Sequence, residues 1–185
     1  MSIGESFPSV LEAAQARAPW AWSILYRDLA GPVLGYLRSG GAADPENLVG
    51  EVFLQLARNL PTFTGDESAF RAWVFTVARH RLLNERRSRS RRPTVDAEGS
   101  YLERHGGTGD VEEEAMVSLT TREVEVLLSL LTSEQREVLM MRLLGGLTVE
   151  EVARAIGRRE GAVKALQRRG LANLRREIER RAVPL

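Results

Sequence analysis

The chain has 185 residues with 26 Lys/Arg against 25 Asp/Glu, a formal net charge of +1, so bulk charge points to no partner. It has no cysteine and only two histidines, His80 and His105; a disulfide framework, thiol catalysis and cysteine-based or all-histidine metal sites are excluded. No apolar run approaches a membrane span and the N-terminus lacks a charged-then-apolar signal pattern, so a soluble, cytoplasmic protein is expected.

Residues before Pro19 read as a short, weakly amphipathic lead-in carrying Val10, Leu11 and Ala14. From Trp20 to Leu37, apolar residues follow helical spacing, and Pro32 is expected to kink or divide that helix because it removes a backbone donor. Gly40-Gly41 ends it. Asp44 is a good N-cap and Pro45 a good first helical residue. The helix they open has Leu48, Val52, Leu56 and Leu60 on its apolar side, with Asn47, Glu51, Gln55 and Arg58 opposite. Pro61 to Ser68 reads as a loop. A third helix runs from about Ala69 into the arginines, with Phe70, Trp73, Val74, Val77 and Ala78 toward the core. Seven arginines lie between Arg79 and Arg92, beside the single acid Glu85. Aromatics followed by cations suit single-stranded nucleic acid, although a buried aromatic helix with a charged tail has the same pattern.

Periodicity disappears from Pro93 to Glu114, where glycines and acids read as a flexible linker. A helix is expected near Ala115–Leu131 and another from Ser133 to Leu144, capped by Ser133, with no evident task for Arg136. Thr148 and Glu151 have the spacing of a capping box. Val152, Ala153 and Ile156 form the apolar face of that helix and Gly157 stops it. The last helix repeats Val163, Leu166, Leu171, Leu174 and Ile178, with Lys164, Arg168 and Arg175 on the other side. Two helices joined by a glycine turn outline a helix-turn-helix. The ten Lys/Arg against three Glu from Arg154 to Arg181 favour an anionic partner; a helical hairpin with a solvated basic face is the plainer alternative. The expected fold is all-α, two small helical domains at 1–92 and 115–185 joined by the linker 93–114.

Two blocks carry a family resemblance. Asp44-Pro45-Glu46-Asn47-Leu48-Val49-Gly50-Glu51-Val52-Phe53, followed by Phe70-Arg71-Ala72-Trp73-Val74-Phe75-Thr76-Val77-Ala78-Arg79, resembles region two of the extracytoplasmic-function (ECF) sigma factors. Glu134-Gln135-Arg136-Glu137-Val138-Leu139, with Gly146-Leu147-Thr148-Val149-Glu150-Glu151-Val152-Ala153, is similar to region four of the same family. The resemblance implies a dissociable subunit of bacterial RNA polymerase, contacting the large-subunit clamp and flap of the core and promoter DNA, and controlled by an anti-sigma factor. It implies core docking through Asn47, Glu51 and Gln55. It also implies a reading loop after the third helix, with His80, Arg81 and Asn84 at a pocket for an unstacked minus-ten base and Arg86 and Arg87 on backbone phosphate. His80 is otherwise a surface histidine in a basic tail. For the minus-thirty-five duplex it implies Arg159, Glu160, Lys164, Gln167, Arg168 and Arg169, with Lys164 and Arg168 reading bases. The linker would thread the RNA exit path.

The competing reading is a stand-alone helix-turn-helix regulator, which leaves the pattern from Asp44 to Arg92 unexplained. No nucleophile–base pair or phosphate loop is visible, so neither an enzyme nor a cofactor is expected.

Overall fold

The computed structural model describes residues 3–91, 124 and 126–182. Among the described residues the α-helices bounded at both ends are, in order, α1 (Phe7–Gln15), α2 (Pro19–Ser39), α3 (Pro45–Asn59), α4 (Glu67–Arg91), α5 (Ser133–Leu143), α6 (Val149–Ile156) and α7 (Glu160–Ala182). No strand occurs among the described residues, in keeping with the all-α expectation. The linker and most of the helix expected near Ala115–Leu131 lie outside the described residues; 126–129 are helical. No helix among the described residues is long and apolar enough to cross a membrane.

The lead-in is more than a weak amphipath. In α1, Phe7, Val10, Leu11 and Ala14 are all buried, and the Phe7 ring lies 5.6 Å from that of Phe70 on α4. Gln15 donates to the carbonyls of Leu60 and Phe63, tying α1 to the end of α3. Helix α2 passes through Pro32 undivided. An interior proline costs about 3 kcal/mol, but Leu25, Leu29, Val33 and Leu37 are at most 1% exposed on either side of it. Each contributes roughly 1.5–3 kcal/mol by burial, so packing wins.

Asp44 caps α3 as expected, its carboxylate accepting the Asn47 amide at 3.0 Å. Helix α4 begins at Glu67, where Asp66 accepts the Ala69 amide at 2.8 Å. It then runs without a break to Arg91. Residues 80–84 are therefore helical, and the reading loop expected there is not formed at those positions.

The second set of helices is defined by its caps. Thr132, one residue before the expected Ser133, caps α5 and shares a capping box with Gln135. Thr148 and Glu151 form the expected box on α6, and Gly157 ends that helix with a φ of 67°. On α7 the buried seam is Val163, Leu166 and Gly170, whereas Leu171 and Ile178 are exposed. A Cβ on Gly170 would sit 2.9 Å from Leu139. The seam meets α5 at this glycine, and Leu171, about 100° further round the helix, faces outward.

Helices α1–α4 form one unit and α5–α7 another, and the two are in contact, α4 on α6 and α2 on α5. Gly145 enables this approach: a Cβ there would lie 2.6 Å from the Met141 carbonyl and 3.2 Å from the Phe75 ring. Arg136 also has a task, donating to the carbonyls of Leu128, Leu131 and, across the junction, Ser39. Thr148→Ala removes the acceptor for the Glu151 amide, so a loss of about 1 kcal/mol is expected. Urea unfolding of the two proteins measures it.

Candidate nucleic-acid interface and docking face

Each residue advances about 100° around a helix, and this sorts the basic end of α4. His80, Asn84 and Arg87 fall at i, i+4 and i+7, share one exposed face, and have no side-chain partner among the described residues. The other two residues expected at the minus-ten strand are engaged within the protein. The Arg81 guanidinium donates to Gln55 Oε1 at 2.9 Å and to Glu51 Oε2 at 3.3 Å. Arg86 donates to the Gly40 carbonyl, beside Glu85, which accepts the Ala43 amide at 3.1 Å. The arginine run is thus partly stitched to the turn between α2 and α3.

On α3, Asn47, Glu51 and Gln55 form the polar stripe expected from spacing. Asn47 Nδ2 donates to Glu51 Oε1 at 3.4 Å, so all three belong to one network that ends on Arg81. Leu54, 60% exposed, stands three residues from Glu51 on the same side. Sequence reasoning did not single it out, although its offset from the Leu48–Val52–Leu56 seam is a signal that separates it.

On α7, Glu160, Lys164, Gln167 and Arg168 share one flank, while Arg169 lies on the opposite edge of the buried seam by the same rotation. Arg159 precedes the first turn. Lys164 stands 3.8 Å from Glu160 with both side chains largely exposed, a pair too solvated to hold the lysine. Arg159 and Arg168 have no partner among the described residues. Arg169 donates back to the Ala165 carbonyl. This flank can place a cation and an amide against a duplex edge.

Between the two units, Glu137 Oε1 accepts from Arg79 Nε at 2.9 Å and from the Tyr36 hydroxyl at 3.3 Å. Burial, and then the Glu137 charge, push the Tyr36 phenol well above its ordinary value, so it stays protonated and donates. On the other side of the junction Ser68 donates to Glu151, whose second oxygen accepts the Thr148 amide at 2.7 Å. None of these cross-links is visible in local sequence patterns, because each joins residues more than 50 apart in the chain.

Both helical units have counterparts among known proteins. Residues 15–92 match the family described as Sigma-70 region 2, and residues 121–174 match Sigma-70, region 4. The chain is 34% identical over 169 residues to the ECF RNA polymerase sigma factor BldN of Streptomyces coelicolor, covering 90% of this chain and 64% of that protein. It therefore spans just under two thirds of that relative's length. It is 32% identical over 157 residues to the ECF RNA polymerase sigma factor SigL of Mycobacterium tuberculosis, covering 83% of each. The fold is like that of the sigma factor RpoE from Bartonella quintana, solved in complex with the anti-sigma factor NepR. There the TM-score is 0.59 at 20% identity, over 85% of this chain and 95% of that one.

The junction carries a pH signature. Burial pushes the Glu151 carboxyl up, but hydrogen bonds from Ser68 and from Thr148 together hold it below the ordinary carboxylate value. A lowered folded value adds stability above the unfolded value of about 4.3, and that stability is lost as pH falls through the folded value. Glu151→Gln is expected to be less stable at neutral pH and to show a shallower acid loss, measured as the urea midpoint against pH.

Proposed function

Because this chain belongs to the extracytoplasmic-function family of RNA polymerase sigma factors, we propose that it binds core RNA polymerase in the cytoplasm and directs it to a set of promoters. Sigma factors are transcription initiation factors, and on this reading the chain makes and breaks no covalent bond itself. The observation that carries the proposal is the succession of both sigma regions along one chain, each on its own helical unit with an exposed polar face. Helix α3 docks on the polymerase clamp through Asn47, Glu51 and Gln55. The His80–Asn84–Arg87 stripe meets the separated minus-ten strand, Asn84 toward a base edge and Arg87 toward phosphate. The α7 flank enters the minus-thirty-five major groove, with Lys164 and Arg168 reaching guanine acceptors and Gln167 adenine; Arg159 and Arg169 hold phosphate on either side.

An anti-sigma factor is the expected regulator. A protein that covers the α3 stripe or the α7 flank blocks a step the polymerase needs, and the RpoE likeness, a sigma factor solved with its anti-sigma partner, supports the reading. A stand-alone regulator using only α6 and α7 leaves the α3 stripe and the first family match without a role.

Run-off transcription with purified core polymerase on a promoter library tests the proposal: start sites that depend on this protein are expected, and failure to bind core at all would sink it. Lys164→Ala and Arg168→Ala should each lose roughly 1–3 kcal/mol of discrimination at one minus-thirty-five position. A uniform loss over all sequences would instead reduce them to phosphate contacts. Asn84→Ala should impair opening at one minus-ten position and leave core affinity unchanged.

A further inference from the structure

Arg81 points away from the strand-facing stripe. It follows Val74, Val77 and Ala78 along the buried face of α4, at i+7, i+4 and i+3. Where the apolar core runs out, the side chain reaches across to α3. Its partners there are two of the three residues read as docking on polymerase. We propose that Arg81 is a positioning residue for that docking face, fixing which atoms of α3 are offered to the polymerase, and is not a promoter contact. The inference rests on the reading of α3 as the docking helix.

Donor and acceptor supply fixes what the α3 stripe can offer. The guanidinium has only donors, and an amide has one acceptor oxygen and one donor nitrogen. With Gln55 Oε1 held by Arg81 Nε at 2.9 Å, the amide cannot turn over, and its Nε2 is the group left to offer outward. Glu51 has both oxygens engaged, Oε2 by Arg81 and Oε1 by Asn47 Nδ2. Asn47, donating through nitrogen, offers Oδ1. The stripe therefore presents an acceptor at Asn47 and a donor at Gln55, with a charge-compensated carboxylate between them. Successive members are four residues apart, about 6 Å along the axis. A matching polymerase surface has a donor, then an acceptor, about 12 Å apart.

Without Arg81 the Gln55 amide rotates freely and Glu51 becomes an uncompensated anion, so ordering them falls to the binding step. Ordering a side chain costs about 0.5–1.5 kcal/mol, which for these two residues together corresponds to a loss of affinity of about 5- to 150-fold. The fold does not depend on the link: the Arg81 and Glu51 side chains are 34% and 41% exposed, and pairs so exposed contribute little to stability.

The test is titration of full-length protein with core polymerase, comparing wild type, Arg81→Ala, Arg81→Lys, the double variant Glu51→Ala/Gln55→Ala, and that double variant with Arg81→Ala added. Arg81→Ala should weaken core binding about 5- to 150-fold with an unchanged melting curve. Arg81→Lys should restore part of the loss, since an ammonium supplies charge but not the planar fork. In the double variant, adding Arg81→Ala should change nothing. The assembled holoenzyme carrying Arg81→Ala should bind a single-stranded minus-ten oligonucleotide with wild-type affinity and salt dependence. Unchanged core affinity in Arg81→Ala would overturn the inference. So would a salt slope shallower by about 0.7, the mark of one lost phosphate contact on a single strand. If the double variant itself binds core normally, the assignment of α3 falls, a result distinguishable from failure at Arg81 alone.

Discussion

The rotation of about 100° per residue about the axis of α4 decides what each side chain along its 25 residues can touch. Phe70, Val74, Val77, Ala78 and Leu82 occupy one arc and are buried. Ser68 and Arg79 occupy a second and reach the other helical unit. His80, Asn84 and Arg87 lie on a third, in solvent. A break or bulge in α4 would rotate everything beyond it and exchange these roles. The rigidity of this helix, fixed at its start by the Asp66 cap, is what lets one element serve as core, junction and candidate DNA surface together.

Much of this was legible in the sequence where the signal is local. The caps at Asp44 and Thr148, the stop at Gly157 and the polar stripe on α3 each depend on residues within a turn or two, and each formed as the spacing required. The departures have a common physical origin in contacts with distant residues. Pro32 stays helical because both sides of it are buried. Leu171 is exposed because the seam against α5 passes through Gly170, a small residue that spacing alone does not mark as a contact, and the next residue lies about 100° off it. Arg136 seemed idle because its acceptors are carbonyls, which carry no sequence signature. Arg81 is the instructive case. Its place three and four residues after Ala78 and Val77 put it in line with the core face from the outset, but counting it among neighbouring arginines concealed that.

The junction between the units illustrates how polar groups are managed at partial burial. Glu137 and Arg79 keep 23% and 20% of their side-chain exposure, so neither bears the desolvation cost of a fully buried ion. Tyr36 is 2% exposed and needs an acceptor, since an unpaired buried hydroxyl is costly. A single carboxylate oxygen answers both donors. Such an arrangement favours one docking orientation over others more than it adds net stability.

That shared carboxylate has a consequence for reach. A compact chain of this length has a radius of gyration of about 16 Å, roughly 40 Å across. Promoter elements centred near positions minus ten and minus thirty-five are separated by about 25 base pairs, or about 85 Å of duplex at 3.4 Å each. If the α4 stripe and the α7 flank meet these elements as proposed, a body of that size with Glu137 holding Arg79 and Tyr36 is too short to touch both on a straight promoter at once. On the proposed function, engagement of both elements at once would require the two units to part and leave Tyr36 to find another acceptor.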